Sequence, residues 1–264
     1  MSIFKRMMAS VGIGSATVDT MLGTDTCMPG HEVRGSVQIR GGGARQQIER
    51  ISIKVMTEYI RNPKDPKTTQ QCVLDSFTIG EALTIEAGAT QLIPFTFALP
   101  LTTPLTIGHQ RVWLATDLDI ERALDPTDQD SIQVQPSPAL QTMIDAIHSL
   151  QFGFKHYACV RNKHAKDEVP FLQQIAFYPG GAFQSRMKEL GLFLLPEPRG
   201  IGLLVAAGGV DEDPSDWLNT ALTVEGRPYR MFCSFEELRG GPEAVAERLQ
   251  ATILEQLREG GTDT

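Results

Sequence analysis

A mainly β protein of two sandwich-type domains, with a short helix between them and an α-helix near the C-terminus, is predicted by three features of the sequence. Short runs with alternating apolar positions recur through the first part of the chain, separated by glycine- and proline-rich turns. A Pro-Ser-Pro break at Pro136 to Pro138 ends that pattern and opens a helical one. Strand-like apolar runs then resume and give way to one amphipathic terminal helix. The predicted domains are therefore residues 1–136 and 137–264, with the first helix over about 139–150 and the last over about 242–258.

The first domain is read from period-2 patterning. After the turn signal Pro29-Gly30, "HEVRGSVQI" places Val33, Gly35, Val37 and Ile39 on one face. "ISIKVMTEY" repeats the alternation with Ile51, Ile53, Val55, Thr57 and Tyr59, and "LIPFTFAL" with Ile93, Phe95, Phe97 and Leu99. Turn-rich pieces lie between them: Gly41-Gly42-Gly43, "RNPKDPK" and "EAGATQ". Short alternating strands at such spacing predict an antiparallel β-sandwich.

Beyond the break, Leu140, Met143, Ile144, Ile147 and Leu150 follow at helical spacing, which predicts a helix of about three turns. "FGFKHYACV", "FLQQIAFYP", "ELGLFLLPEP", "GIGLLVAA" and "YRMFCSF" then read as strands of a second sandwich. The tail has Gly241 at the N-cap, Pro242 at the first helical position and Gly260 after the end. Val245, Leu249, Ile253 and Leu257 make its apolar stripe, with Ala246 and Leu254 beside it. That stripe is expected to pack on the second sandwich or on a second copy in a homodimer.

Composition narrows the function classes. The net charge of −8 and the lack of a basic run argue against nucleic-acid binding, which needs a positive surface. Charged residues at 21% are ordinary for a soluble fold. Four cysteines, Cys27, Cys72, Cys159 and Cys233, lie far apart with no C-x-x-C pair, so reduced core thiols are expected. The N-terminal "MSIFKRMMASVGIGSA" has an apolar stretch too short and broken for a signal peptide. No run approaches the 18 or so apolar residues of a membrane span, and a cytoplasmic protein is expected.

Two stretches go beyond generic sandwich patterning. "VDTMLGTDTCMPGHEVRGSVQIRGG" resembles the first hairpin of arrestin-like domains, in which a Pro-Gly turn precedes a strand of form x-V-x-G-x-V-x-I. "IPFTFALPLTTPLTIGHQRVWLATDLDIERALDPTDQDSIQV" resembles the bacterial sporulation-control protein family with the arrestin fold. "MASVGIGSATVDT" and "QPSPALQTMIDAIHSLQFGF" also fit that family, and "FLQQIAFYPGGAFQSRMKELGLFLLP" is compatible with it. The resemblance spans nearly the whole chain and is strongest from Ser10 to Phe154. It implies two β-sandwiches, no enzymatic site, no cofactor, and a cytoplasmic regulator of sporulation or division timing that acts through protein partners.

Local motifs for chemistry are weak. "GIGSAT" offers Gly12 and Gly14 but Thr17 in place of a dinucleotide fingerprint's third glycine, and "GIGLLVAAGG" has Val205 there. "SRMK", Ser185 to Lys188, matches S-x-x-K without the companion elements of penicillin-recognising enzymes. His31, His109, His148, His156 and His164 show no zinc-type spacing. "DEDPSD", Asp211 to Asp216, lacks the central glycine of an EF-hand loop and reads as a turn leading toward Trp217.

The segment "WLATDLDIERALDPTDQDSIQV" is the one concentration of acid, with six carboxylates between Asp117 and Asp130 against one cation, Arg122. Val112, Leu114, Thr116, Leu118 and Ile120 alternate, so they are expected to face the core. Asp117, Asp119 and Glu121 then point outward about 7 Å apart, too far to converge on one cation. They form a candidate partner-docking surface, and replacing them by amides is expected to leave the fold intact and relieve mutual repulsion. Asp125, Pro126 and Asp128 are expected to make a structural turn, with Asp128 answering Asp125 as in a capping box. The leading reading is a non-enzymatic regulator or scaffold working by protein–protein contact. Its rivals are a metal-dependent hydrolase built on residues 117–130 and a membrane-surface adaptor anchored by "MSIFKRMM".

Overall fold

Fifteen strands and three α-helices form among the described residues of the computed structural model, which are 15–62, 65–121, 125–163, 165, 169–208 and 230–259. Contacts divide the chain into two compact units. The first holds residues 1–57, 73–106 and 111–135; the second holds 58–72, 107–110 and 136–264. The division is thus not a single cut: the strand pair around residue 60 and the short loop at 107–110 group with the later part of the chain.

The strands drawn on by the first unit are β1 (Thr17–Leu22), β2 (Thr26–Cys27), β3 (Glu32–Arg40), β4 (Gln46–Asn62), β5 (Asp65–Gly80), β6 (Leu83–Ile85), β7 (Thr90–Ala98), β8 (Val112–Ile120), β9 (Thr127–Ser131) and β10 (Gln133–Val134). One sheet is the antiparallel triplet β1-β3-β7. The other centres on β4, with β8 and then β9 to one side, and β5 and β6 also pairing with β4. The predicted alternation is realised: Val33, Val37 and Ile39 of β3, Phe95 and Phe97 of β7, and Ile51, Ile53 and Val55 of β4 are all buried. Each such side chain stabilises the sandwich by roughly 1.5–3 kcal/mol relative to exposure. The two threonines that interrupt these inward rows are satisfied. Thr116 Oγ1 lies 2.7 Å from Thr20 Oγ1, and Thr57 Oγ1 donates to the Arg111 carbonyl at 2.8 Å.

The second unit opens with α1 (Pro138–Ser149), whose N-cap Ser137 accepts from the Leu140 N–H, with Pro138 in the first turn. Strands β11 (Gly153–Arg161), β12 (Phe171–Tyr178), β13 (Leu190–Glu197), β14 (Gly200–Ala207) and β15 (Arg230–Ser234) follow in an antiparallel meander. Helices α2 (Phe235–Arg239) and α3 (Pro242–Glu259) end the described chain. β12, β13 and β14 are buried along almost their whole length, the mark of a sheet covered on both faces. One face carries Val160, Leu172, Phe193 and Leu204, with Ile60, Ala158 and Leu195 packed beside them. The opposite face meets the helices: the His148 ring of α1 stands edge-on to Phe177, and Gln256 of α3 bonds to the β14 backbone.

The α3 stripe is buried within this unit, Val245, Leu249 and Ile253 being almost fully inaccessible while Leu257 is half-buried. Gly241 supports the sharp entry into α3 with φ of 107°, a conformation that L side chains rarely adopt.

Candidate functional site

Strand β8 settles where the acidic segment points. Val112, Leu114, Thr116, Leu118 and Ile120 are buried, while Asp117 and Asp119 are half-exposed and Glu121 is exposed. Antiparallel pairing with β4 sets Arg50 opposite Asp119 and Lys54 opposite Ala115. Lys54 Nζ reaches Asp117 Oδ2 at 2.6 Å, and Arg50 Nη2 lies 3.3 Å from Asp119 Oδ2. The outward face is therefore a ladder of alternating sign, because strand pairing brings cations of β4 beside carboxylates of β8.

This changes the expected effect of neutralising the three carboxylates. The Asp117→Asn, Asp119→Asn, Glu121→Gln variant loses two partly exposed ion pairs, so it should be destabilised slightly, by at most about 1 kcal/mol, instead of being relieved of repulsion. Thermal melting at low and high salt checks this, since screening should shrink the difference.

The structural turn is held differently from a capping box. Asp125 Oδ1 accepts the Ile120 N–H at 3.1 Å, and the Pro126 carbonyl accepts the Leu118 N–H at 3.2 Å, closing the β8–β9 connection. Asp128 does not turn back toward Asp125. It lies within β9, and its Oδ2 accepts the Thr20 backbone N–H of β1 at 2.7 Å. At 2.7 Å this is the shortest of the three bonds and its acceptor is a carboxylate oxygen, so Asp128→Ala should cost about 2 kcal/mol, measurable as a lower denaturation midpoint.

The outward row of β8 also contains Trp113, buried despite its parity, with the Arg111 guanidinium 5.5 Å from its ring centroid. No sequence signal marked it.

Elsewhere the weak motifs stay apart. Ser185 and Lys188 are exposed, following the short 3-10 turn Gly181–Phe183. Burial lowers the His156 imidazole, which also feels Glu189 and Lys155. The cysteines are free thiols: Cys27, Cys159 and Cys233 are buried and Cys72 is half-buried. Burial raises all four, Cys72 to about 11, which makes them poor nucleophiles. Among the described residues no group of three or more His, Cys, Asp or Glu is placed to hold a metal ion. None of the described helices is long and apolar enough to cross a membrane. The glycines of "GIGSAT", the "DEDPSD" stretch, His164, Arg122 and the "MSIFKRMM" segment lie outside the described residues.

A β-sandwich of this strand order, followed by a second β unit with a leading and a terminal helix, is an arrestin-like fold. The chain belongs to the SpoOM protein family, which it matches over residues 4–208. It is 33% identical over 260 residues to the sporulation-control protein spo0M of Bacillus subtilis (strain 168), spanning 98% of this chain and 100% of that one. Its fold superposes on the crystal structure of Spo0M from Bacillus subtilis with a TM-score of 0.80. That match has 31% identity and covers 93% of this chain and 100% of the other.

Proposed function

We propose that this protein is a cytoplasmic regulator of the sporulation-control type, which acts by binding other proteins and performs no chemistry of its own. The observation that carries this reading is end-to-end similarity to a sporulation-control protein, with both units retained. The acidic segment supports it. Asp117 and Asp119 are engaged by cations, and Asp125 and Asp128 by backbone N–H groups, so these four carboxylates hold structure instead of converging on a substrate.

The outward face of β8, with Asp117, Asp119 and Glu121, is the surface we assign to partner docking. A partner would meet carboxylates alternating with Arg50 and Lys54, so recognition would rest on charge pattern and be weakened by salt.

Complementation tests the reading. Expressed in Bacillus subtilis lacking its own spo0M, this chain should restore formation of heat-resistant spores. The variant with Asp117, Asp119 and Glu121 replaced by amides should stay folded, with no more than the slight destabilisation expected from its two lost ion pairs, but restore sporulation poorly. A folded, expressed parent chain that leaves the sporulation defect unchanged would overturn the assignment, and full restoration by the variant would remove the β8 face from it.

A further inference from the structure

The three-stranded sheet β1-β3-β7 has two outer edges, and hydrogen-bond parity shows which backbone groups face them. At β7 the Leu99 N–H donates to the His31 carbonyl, and the Leu99 carbonyl accepts from the Gly30 N–H, both at 2.8 Å. Odd-numbered residues of this strand thus bond inward to β3, through a register that runs without a bulge from Thr90 to Ala98. The even residues Leu92, Pro94, Thr96 and Ala98 turn their backbone groups to the open side, where no further strand pairs among the described residues. Pro94 stands in the middle of this row. Having no N–H, it removes the central donor that an added strand would need.

The same reasoning applies at β1. The Gly23 N–H donates inward to the Arg34 carbonyl at 2.9 Å, so the even residues face out. Thr20 is one of these, and its N–H is taken by Asp128 Oδ2 at 2.7 Å. A carboxylate from β9 thereby occupies a donor in the middle of the second edge.

The sheet has reason to need such closure. Its outer face exposes Leu92 by 55% and Met21 by 39%, in rows with Gln38 and with Ser36 and Pro94. An open edge beside exposed apolar side chains is a template for pairing with another strand. We propose that Pro94 and Asp128 are edge guards that prevent a second copy of this chain from adding a strand to the β1-β3-β7 sheet.

Light scattering coupled to size-exclusion chromatography, over a range of protein concentrations, tests this on the full chain, with circular dichroism to verify folding. Pro94→Thr restores an outward donor, and its weight-average mass should rise with concentration toward at least about twice the parent's. Adding Thr96→Pro places a donorless residue at the next outward position and should return the parent's mass. Asp128→Ala should raise the mass at the other edge, whereas Asp128→Asn keeps an acceptor oxygen for the Thr20 N–H and should not. If folded Pro94→Thr and Asp128→Ala both keep the parent's mass at every concentration, the proposal is overturned. It is also overturned if the Thr96→Pro second change fails to reverse the rise. Should Pro94→Thr fail to fold, the contrast between Asp128→Ala and Asp128→Asn decides alone.

Discussion

Ile253→Asp is expected to unfold the second unit, with a loss of at least about 5 kcal/mol, comparable to the whole stability of many domains. Ile253 is 0% exposed and sits on α3 between Leu249 and Leu257, on the buried stripe of that helix. Two effects add. The apolar contacts of the isoleucine are lost with a cavity left behind, and a carboxylate is placed at a fully buried position. Gln250, an exposed residue of the same helix, supplies the control, and Gln250→Asp should cost only a few tenths of a kcal/mol. Chemical denaturation of both variants reads the difference. A midpoint for Ile253→Asp within error of Gln250→Asp would mean that the stripe is not what seats the helix.

Which elements could be read from sequence follows from where each strand keeps its buried residues. β3, β4 and β7 are half-buried, so inward apolar positions recur every second residue and the period is plain. β13 and β14 show as nearly continuous apolar runs because both faces are covered, and β12 does so apart from the buried pair Gln173 and Gln174. β5 escaped for the converse reason. Cys72, Leu74, Phe77 and Ile79 are only half-buried, and the apolar phase slips between Leu74 and Phe77, leaving no uniform alternation. Proline-rich "RNPKDPK" at the β4–β5 junction also read as a loop, whereas β4 runs to Asn62 and β5 starts at Asp65.

The candidate site divides along the same line. Parity alone put Asp117 and Asp119 on the outward face of β8, because direction on a strand is a local property. Their partners on β4 were not legible, since Lys54 and Arg50 lie 63 and 69 residues away and meet them only through strand pairing. Asp128 shows the limit most sharply. A local capping rule offered it Asp125 as a neighbour, but its bond is to a backbone N–H 108 residues distant in β1. Turn rules describe what a side chain can do nearby, and here an unfilled donor at a sheet edge takes precedence.

Gln256 was equally hidden, reading as a polar flank on α3, and its replacement should have the second-largest effect. β15 pairs with β14 only from Gly200 to Leu204, so the backbone of Val205 to Ala207 lacks a strand on that side among the described residues. The Gln256 amide fills the gap as a strand would: Oε1 accepts the Ala207 N–H at 2.9 Å, and Nε2 donates to the Val205 carbonyl at 2.8 Å. The side chain is only 8% exposed, so water cannot replace it readily. Gln256→Leu keeps the bulk but strands a buried donor and a buried acceptor, for an expected cost of about 2–4 kcal/mol. Gln256→Glu separates the two bonds by pH. Its carboxylate can accept from Ala207 but cannot donate to Val205, whereas the protonated acid can do both, so folding should raise the pKa of this glutamate. A raised folded pKa gives stability that is fully present below the unfolded value of about 4.3 and is lost as pH rises through the folded value. The glutamate variant should therefore approach the parent near pH 4 and fall behind it toward pH 7, while the leucine variant trails at both. Denaturation midpoints of the three proteins at the two pH values measure this, and a glutamate variant that matches the parent at pH 7 would show that the donation to Val205 contributes nothing.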